Sequence, residues 1–143
     1  MKPERSAATR ASSRPPIKIL VADDHVMIRK IVTSTLEQEA GFEVVGEAEN
    51  GLEAVRKAEA LKPNVVILNV TMPVLDGFEA ARQIRKKLPE VAIVILSSNA
   101  DKQFIEEAKK IGVRAYVPKN EAAVALVKAI QAAIRNEDFF IME

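Results

Sequence analysis

The stretch IKILVADDH, residues 17–25, is a short aliphatic run that ends in two aspartates. Near-continuous Ile, Leu and Val over so few residues is typical of a strand that is buried on both faces, as in a parallel sheet covered by helices. The next residues, 26–38, carry apolar side chains at helical spacing, including Ile28, Val32 and Leu36, and this spacing predicts an amphipathic helix. The stretch therefore predicts a βα unit whose strand ends in acidic residues.

This strand and helix pattern occurs five times along the chain. The predicted strands cover residues 17–22, 42–48, 65–68, 92–96 and 113–117. The predicted helices cover residues 26–38, 51–61, 78–87, 102–111 and 121–135. Five such units joined by right-handed crossovers predict the α/β class, as a flavodoxin-like (βα)5 doubly wound parallel sheet with strand order 2-1-3-4-5. An eight-stranded barrel is excluded because it needs about twice the length.

Length and composition limit the classes of protein. The 143 residues are 48% hydrophobic and 29% charged, which is typical of one folded, water-soluble domain. The absence of Cys and the single His exclude disulfides and thiolate sites and leave a zinc site short of ligands. No apolar run approaches the ~18 residues of a membrane span, and residues 1–16 lack the apolar centre of a signal peptide. We therefore expect a cytoplasmic protein without a membrane partner.

The two ends of the chain differ from its centre. Residues 1–16 carry four basic residues against one acidic residue and show no hydrophobic period, so we expect a disordered basic N-terminal arm. Residues 17–136 form the predicted domain, and residues 137–143, which include Phe139 and Phe140, are expected to be a C-terminal tail or the start of a linker. Because the arm is the only net basic segment, nucleic-acid binding by this chain is not expected.

Polar side chains follow four of the predicted strands at the point where each strand ends. Asp23 and Asp24 follow the first strand, Asn69 the third, Ser97 the fourth and Lys119 the fifth. The carboxyl ends of parallel strands share one edge of the sheet, where ligands bind in doubly wound folds. Two adjacent carboxylates favour Mg²⁺, which takes one or two protein carboxylates together with waters and phosphate oxygens. A hydroxyl and an ammonium opposite them complete a candidate site for Mg²⁺ and a phosphoryl group.

Five strings of residues carry a resemblance to a known family. They are ADDH (22–25), AENGLEA (48–54), MPVLDG (72–77), VILS (94–97) and AYVPK (115–119). In this order, and on this predicted fold, they resemble the receiver domains of two-component response regulators, of the NarL/LuxR type. The resemblance covers about residues 17–134. It implies a signalling domain, not an enzyme, in which a phosphoryl group is passed to an aspartate at the end of the third strand with the help of Mg²⁺.

The resemblance also implies roles for individual residues. Asp23 and Asp24 match the acidic pair that holds Mg²⁺, and Ser97 matches the hydroxyl that engages the phosphoryl group. Lys119 matches the lysine of the family motif. Tyr116, three residues earlier, matches the aromatic switch residue whose rotamer tracks activation. Many receivers carry a cis proline after the lysine, but here Pro118 precedes it, so we expect trans peptide bonds in this loop.

Asn69 departs from the family pattern, because it stands where the phosphoacceptor aspartate is expected, three residues before Met72. A carboxylate can attack a phosphoryl group to form an acyl phosphate, whereas an uncharged carboxamide cannot do so usefully. The amide NH₂ also presents donors where a Mg²⁺ ligand is expected. We therefore predict no phosphorylation at residue 69 and a weakened Mg²⁺ site formed by Asp23, Asp24, Asn69 and the Thr71 backbone carbonyl. Asn69 fits either a natural residue or a laboratory substitution of aspartate.

Three functions fit these residues. The first is a receiver domain of a two-component phosphorelay, and its alternative is a phosphorylation-independent interaction module, or pseudo-receiver. A Mg²⁺-dependent phosphatase with Asp23 or Asp24 as nucleophile is a minor alternative, because such enzymes usually space their two aspartates by one residue and add a cap. The resemblance implies a sensor histidine kinase or phosphotransfer protein as partner. It also implies a homodimer through the face of the fourth helix, fifth strand and fifth helix.

Overall fold

A computed structural model describes residues 15–141 of the chain, so all but the last two residues of the predicted N-terminal arm lie outside the described residues. The strands are β1 (Ile17–Ala22), β2 (Phe42–Ala48), β3 (Val65–Leu68), β4 (Ala92–Ser97), β5 (Ala115–Pro118) and β6 (Phe139–Phe140). The helices are α1 (Val26–Glu37), α2 (Gly51–Leu61), α3 (Gly77–Lys87), α4 (Lys102–Ile111) and α5 (Ala122–Ile134). A single 3₁₀ turn, Lys119–Glu121, joins β5 to α5.

The strands form one parallel sheet in the order β2-β1-β3-β4-β5-β6. The predicted flavodoxin-like fold and its order 2-1-3-4-5 are confirmed for the first five strands. The sixth strand was not predicted, because its two residues are too few to show a period. It lies in the segment 137–143 that the sequence predicts to be a tail or linker, and it pairs with the outer edge of β5.

Side-chain caps fix where two of the helices begin. The Asn50 side chain accepts a hydrogen bond from the Glu53 backbone N–H at 2.8 Å and begins α2. The Asp76 carboxylate does the same for the Glu79 N–H at 2.9 Å and begins α3. Such caps satisfy donors that have no partner in the first helical turn. The cap at Asp76 matters for function, because it fixes the loop that leaves β3 at the carboxyl edge of the sheet.

Two hydrophobic clusters lie on opposite faces of the sheet. One packs α2, α3 and α4 against it through residues such as Val55, Ile84 and Ile105. The other packs α1 and α5 against it through residues such as Leu36 and Leu126. This arrangement leaves the carboxyl ends of the strands as the open edge where the polar residues gather. Among residues 15–141, no helix has both the length and the apolar character needed to cross a membrane.

Candidate functional site

Parallel strands bring the predicted site residues to one edge of the sheet, in two groups. The first group, here called the acidic corner, contains Asp23, Asp24, Asn69, Lys119 and the backbone carbonyl of Thr71. The second group, here called the tyrosine corner, contains Ser97, Tyr116 and the loop residue Asn99. Both groups follow from strand topology. Tyr116 lies within β5, and the other residues end β4 or follow the ends of β1, β3, β4 and β5.

Asp23 is the buried centre of the acidic corner, with 3% of its surface exposed. Its Oδ1 accepts a hydrogen bond from the His25 backbone N–H at 2.9 Å and lies 3.1 Å from His25 Nδ1. Its Oδ2 is buried with no aligned hydrogen-bond donor, and the Lys119 ammonium 3.0 Å away supplies its counter-charge. Arg29 Nη1 donates to the Asp23 backbone carbonyl at 2.6 Å. The position of this carboxylate is therefore fixed from three sides.

Lys119 reaches the site from the 3₁₀ turn that follows β5, and its side chain is 16% exposed. The sequence predicts trans bonds around it, and every peptide bond between residues 15 and 141 is trans. Pro118 lies before this lysine and Asn120 after it. The contact with Asp23 shows that the lysine ammonium reaches the acidic pair without a cis peptide.

Asn69 is also buried, with 4% of its surface exposed, and its carboxamide points into the acidic corner. Its Nδ2 donates to Asp24 Oδ1 at 3.2 Å and to the Thr71 carbonyl at 2.8 Å. A carboxylate and a carbonyl offer only acceptors, so chemistry assigns the NH₂ group, and not the oxygen, to this side of the amide. The amide hydrogens thus lie between two of the oxygens predicted to bind Mg²⁺.

The donor set of the acidic corner suits a hard cation. One ligand atom each from Asp23, Asp24 and His25 lie within 4.8 Å of one another. The carboxylates and the Thr71 carbonyl are the oxygen ligands that Mg²⁺ prefers. The residues therefore fit Mg²⁺ in kind, but Asn69 and Lys119 already direct donors at the same oxygens. A bound ion would compete with the Asn69 hydrogen bonds for Asp24 and the Thr71 carbonyl.

The tyrosine corner is neutral and closed. Ser97 is 2% exposed, and its Oγ accepts a hydrogen bond from the Asn99 backbone N–H at 3.0 Å. Tyr116 is fully buried, and its hydroxyl donates to the Asn99 backbone carbonyl. Burial raises the pKa of Tyr116, with Ser97 opposing this shift and the charge of Asp101 adding to it. The loop between β4 and α4 is therefore held over a buried tyrosine.

Three residues take part in the site without a role predicted from the sequence, although His25 belongs to the ADDH string. His25 lies 3.1 and 3.3 Å from the two aspartates, and only its adjacency to them in the sequence could have pointed to this contact. Arg29 and Asn99 act through backbone atoms or on backbone atoms, at distances set by loop conformation. No spacing pattern marks such residues.

Residues 19–131 match the family described as the response regulator receiver domain. The chain belongs to that family. This receiver is 36% identical over 128 residues to the response regulator protein VraR of Staphylococcus saprophyticus, a match that covers 90% of this chain and 61% of that protein. It is 36% identical over 124 residues to VraR of Staphylococcus aureus, covering 87% of this chain and 59% of that one. The chain therefore spans about three fifths of the length of these relatives.

Solved structures agree with this assignment. A two-component response regulator of the LuxR family from Aurantimonas sp. SI85-9A1 matches with a TM-score of 0.83 and 30% identity, over 87% of this chain and 89% of that one. The response regulator domain of Thermotoga maritima CheB matches with a TM-score of 0.80 and 30% identity, over 84% and 97%. The predicted resemblance to receivers of the NarL/LuxR type is confirmed.

Proposed function

We propose that this two-component receiver is not phosphorylated at residue 69 and acts through its shape as a protein-interaction module. The observation that carries the proposal is the pair of hydrogen bonds from Asn69 Nδ2 to Asp24 Oδ1 and to the Thr71 carbonyl, at 3.2 and 2.8 Å. These bonds hold the loop after β3 in one conformation and connect it to the loop after β1, at the position that the resemblance implies for the phosphoacceptor. The receiver class itself is established by its family, and receivers of this class signal by changing partners.

The chemistry of the side chain supports the first half of the proposal. Forming an acyl phosphate requires an anionic oxygen that attacks phosphorus, and the amide oxygen is neutral and delocalised. The amide nitrogen cannot replace it, because both of its hydrogens are directed at acceptors of the corner. A phosphoryl group approaching this side of Asn69 meets two donors and no nucleophile. The site can still bind an anion weakly, but it cannot keep one covalently.

The residues that would hold Mg²⁺ are Asp23, Asp24 and the carbonyl of Thr71. When bound, the ion would offset the charge of phosphoryl oxygens. The Asn69 donors compete for Asp24 and Thr71, while the Lys119 ammonium neutralises Asp23 at 3.0 Å. Both effects lower the electrostatic attraction for a divalent cation. We infer that Mg²⁺ binds this receiver more weakly than it would bind the same chain with aspartate at residue 69.

The proposed partner is a sensor histidine kinase or a phosphotransfer protein. An apolar patch on α1, formed by Val26, Met27 and Ile31, supports this partner, because these side chains are 51%, 68% and 54% exposed. The patch starts directly after the acidic corner and His25. Exposed apolar clusters of this kind mark protein-binding surfaces. The proposal keeps the cytoplasm as the location, as the sequence predicts.

Two other predictions about partners remain. Homodimerisation through α4, β5 and α5 stays a prediction, and β6 occupies the β5 edge within that face. Nucleic-acid contact is not proposed, because the chain after residue 16 carries a net negative charge once the basic arm is set apart. The phosphatase alternative is not favoured either. The carboxylate of Asp23 is buried and paired with Lys119, and Asp24 Oδ1 accepts a hydrogen bond from Asn69 Nδ2.

Acetyl phosphate with Mg²⁺, followed by intact mass measurement, tests the proposal. We expect no gain of a phosphoryl group by this chain and a gain of one group by the Asn69→Asp variant, which is the matched control. A covalent gain at Asn69 in the unchanged chain would contradict the proposal. If Asn69→Asp also stays unmodified, the block lies elsewhere in the corner and Asn69 is not its cause. Thermal unfolding with and without Mg²⁺ gives a second readout, with the larger shift expected for the variant.

A further inference from the structure

Strand β6 is tied to β5 at several points. Its register pairs Ala115 with Phe139 and Tyr116 with Phe140. The Phe139 N–H donates to the Arg114 carbonyl at 3.0 Å, and the Ile141 N–H donates to the Tyr116 carbonyl, also at 3.0 Å. The strand therefore forms a backbone hydrogen bond with Tyr116 itself.

The side chains of β6 alternate between the two faces of the sheet. Phe140 packs with the cluster that contains Tyr116 and the inner side of α4, and the Lys109 ammonium lies 5.1 Å from the centre of its ring. Phe139 and Ile141 pack with the opposite cluster, beneath α5. Phe140 is thus the residue of β6 that shares a face with the tyrosine ring, as expected for register partners in neighbouring parallel strands.

The direction of the Tyr116 ring follows from its hydroxyl contact. The ring leans over β4, because its hydroxyl donates to the carbonyl of Asn99, just beyond the end of β4. Rotation away from β4 would turn the ring over the other neighbour of β5, which is β6. Phe140 occupies this position above β6, where the backbone pairing with β5 and the Lys109 ammonium hold it in place.

We propose that Phe140 is a positioning residue for Tyr116, and that a docked β6 and an outward Tyr116 exclude each other. With β6 in place, the tyrosine stays buried and the loop between β4 and α4 stays closed. Release of β6 frees the same space for the ring and opens the hydrogen bond to Asn99. The segment 138–141 therefore works as a latch on the tyrosine corner. This inference concerns packing alone and holds whether or not residue 69 accepts a phosphoryl group.

The chain provides its own reporter for this latch, because it contains one tyrosine and no tryptophan. Acrylamide quenching of tyrosine fluorescence therefore measures the accessibility of Tyr116 alone. Hydrogen exchange at the amides of Phe139 and Ile141 measures docking of β6 independently. Both measurements are made without Mg²⁺ or a phosphoryl donor, so their outcome is separate from the test of Asn69.

Two variants release the strand in different ways. Phe140→Ala removes the ring beside Tyr116, and Ile141→Pro removes the N–H that donates to the Tyr116 carbonyl. We expect amide exchange at Phe139, the reporter that both variants retain, to rise about tenfold. The quenching constant of Tyr116 should rise at least about twofold in each variant. Glu137→Ala is the matched control, because Glu137 lies just before the latch segment and its side chain forms an exposed ion pair with Arg135. It should change neither measurement.

Two results would overturn the proposal. Faster exchange in β6 with an unchanged quenching constant would show that the strand and the tyrosine are independent. Unchanged exchange in both variants would show that Phe140 and the Ile141 hydrogen bond do not hold the strand. A urea unfolding curve for each variant separates release of the latch from loss of the whole fold, because a latch variant keeps one cooperative transition.

Discussion

The acidic corner and the tyrosine corner lie on the same edge of the sheet but are built from different interactions. The acidic corner gathers two carboxylates and an ammonium around the neutral amide of Asn69. The tyrosine corner contains no ion pair and closes through hydroxyl and backbone hydrogen bonds at Asn99. No side-chain hydrogen bond among residues 15–141 links the two corners. The two corners are therefore not joined by a polar side-chain contact, and the strands that carry them also pack into shared hydrophobic clusters.

This difference separates two properties that the receiver family combines. On the proposed function, the acidic corner decides whether a phosphoryl group can be bound covalently, and the Asn69 amide removes the anionic nucleophile that this step requires. The tyrosine corner holds the loop between β4 and α4 through the hydrogen bonds of Asn99 to Ser97 and Tyr116. If the proposal for Asn69 is correct, the shape of this loop remains open to control by a binding partner. A binding partner that favours one shape would shift its population without any covalent step.

Gly77→Ala should give the largest loss of stability among these variants. The added carbon would clash with the backbone of the acidic corner and would leave the tyrosine corner untouched. A Cβ at residue 77 would lie 2.0 Å from the Asn69 carbonyl oxygen, and neither backbone can move aside cheaply. We expect the free energy of unfolding to fall by about 3 kcal/mol, measured by urea denaturation. Tyr116 quenching in the native state should stay unchanged.

Gly41→Ala is the control for this substitution. Gly41 has a φ of +91° with nothing within 4 Å of the added carbon, so only the backbone conformation opposes the change. Its cost should be about 1 kcal/mol. Equal losses for the two variants would mean that the close approach of Gly77 to Asn69 does not support the corner.

Lys119→Met should give the next largest effect, because it removes the counter-charge of a buried carboxylate. Asp23 would remain 3% exposed with its Oδ2 unpaired. We expect a loss of about 2 kcal/mol in the free energy of unfolding at neutral pH. This is less than the cost of a fully isolated buried charge, because the His25 N–H still donates to Asp23 Oδ1.

The double variant Lys119→Met with Asp23→Asn tests the origin of this loss. Removing both charges leaves no isolated ion, so most of the stability should return. Urea denaturation of the single and double variants measures this recovery. If the double variant is as unstable as Lys119→Met alone, packing of the lysine stem, and not its charge, holds the corner.

The sequence predicts the positions of these corners better than their inner geometry. Strand period and strand ends are local signals, so the meeting of Asp23, Asn69 and Lys119 follows from the topology of a parallel sheet. The roles that the resemblance implies for these residues stay predictions. The direction of the Asn69 amide depends on the acceptors around it, which only the folded loop supplies. Strand β6 depends on pairing with β5 and has no period of its own.

Tyr116→Phe should give the smallest effect, because it removes one hydroxyl and keeps the packing of the ring. We expect a loss of about 1 kcal/mol in the free energy of unfolding at pH 7, from the hydrogen bond to Asn99. Because the buried ring keeps its packing in this variant, the loop between β4 and α4 should stay closed, although the folded chain is less stable.

The pH dependence of the same variant gives a sharper test. Burial raises the pKa of Tyr116 in the folded chain, whereas the unfolded tyrosine titrates near pH ~10. The tyrosine contribution is therefore fully present below that value and is lost as the pH rises through the folded pKa. Urea denaturation of both proteins across this pH range should show that the difference between their free energies of unfolding shrinks. The lysines also titrate here, but they do so in both proteins, so their effect cancels in the difference. If the free energies of unfolding of the two proteins run parallel with pH, the Tyr116 hydroxyl titrates alike in the folded and unfolded chains. The tyrosine corner would then be open in solution.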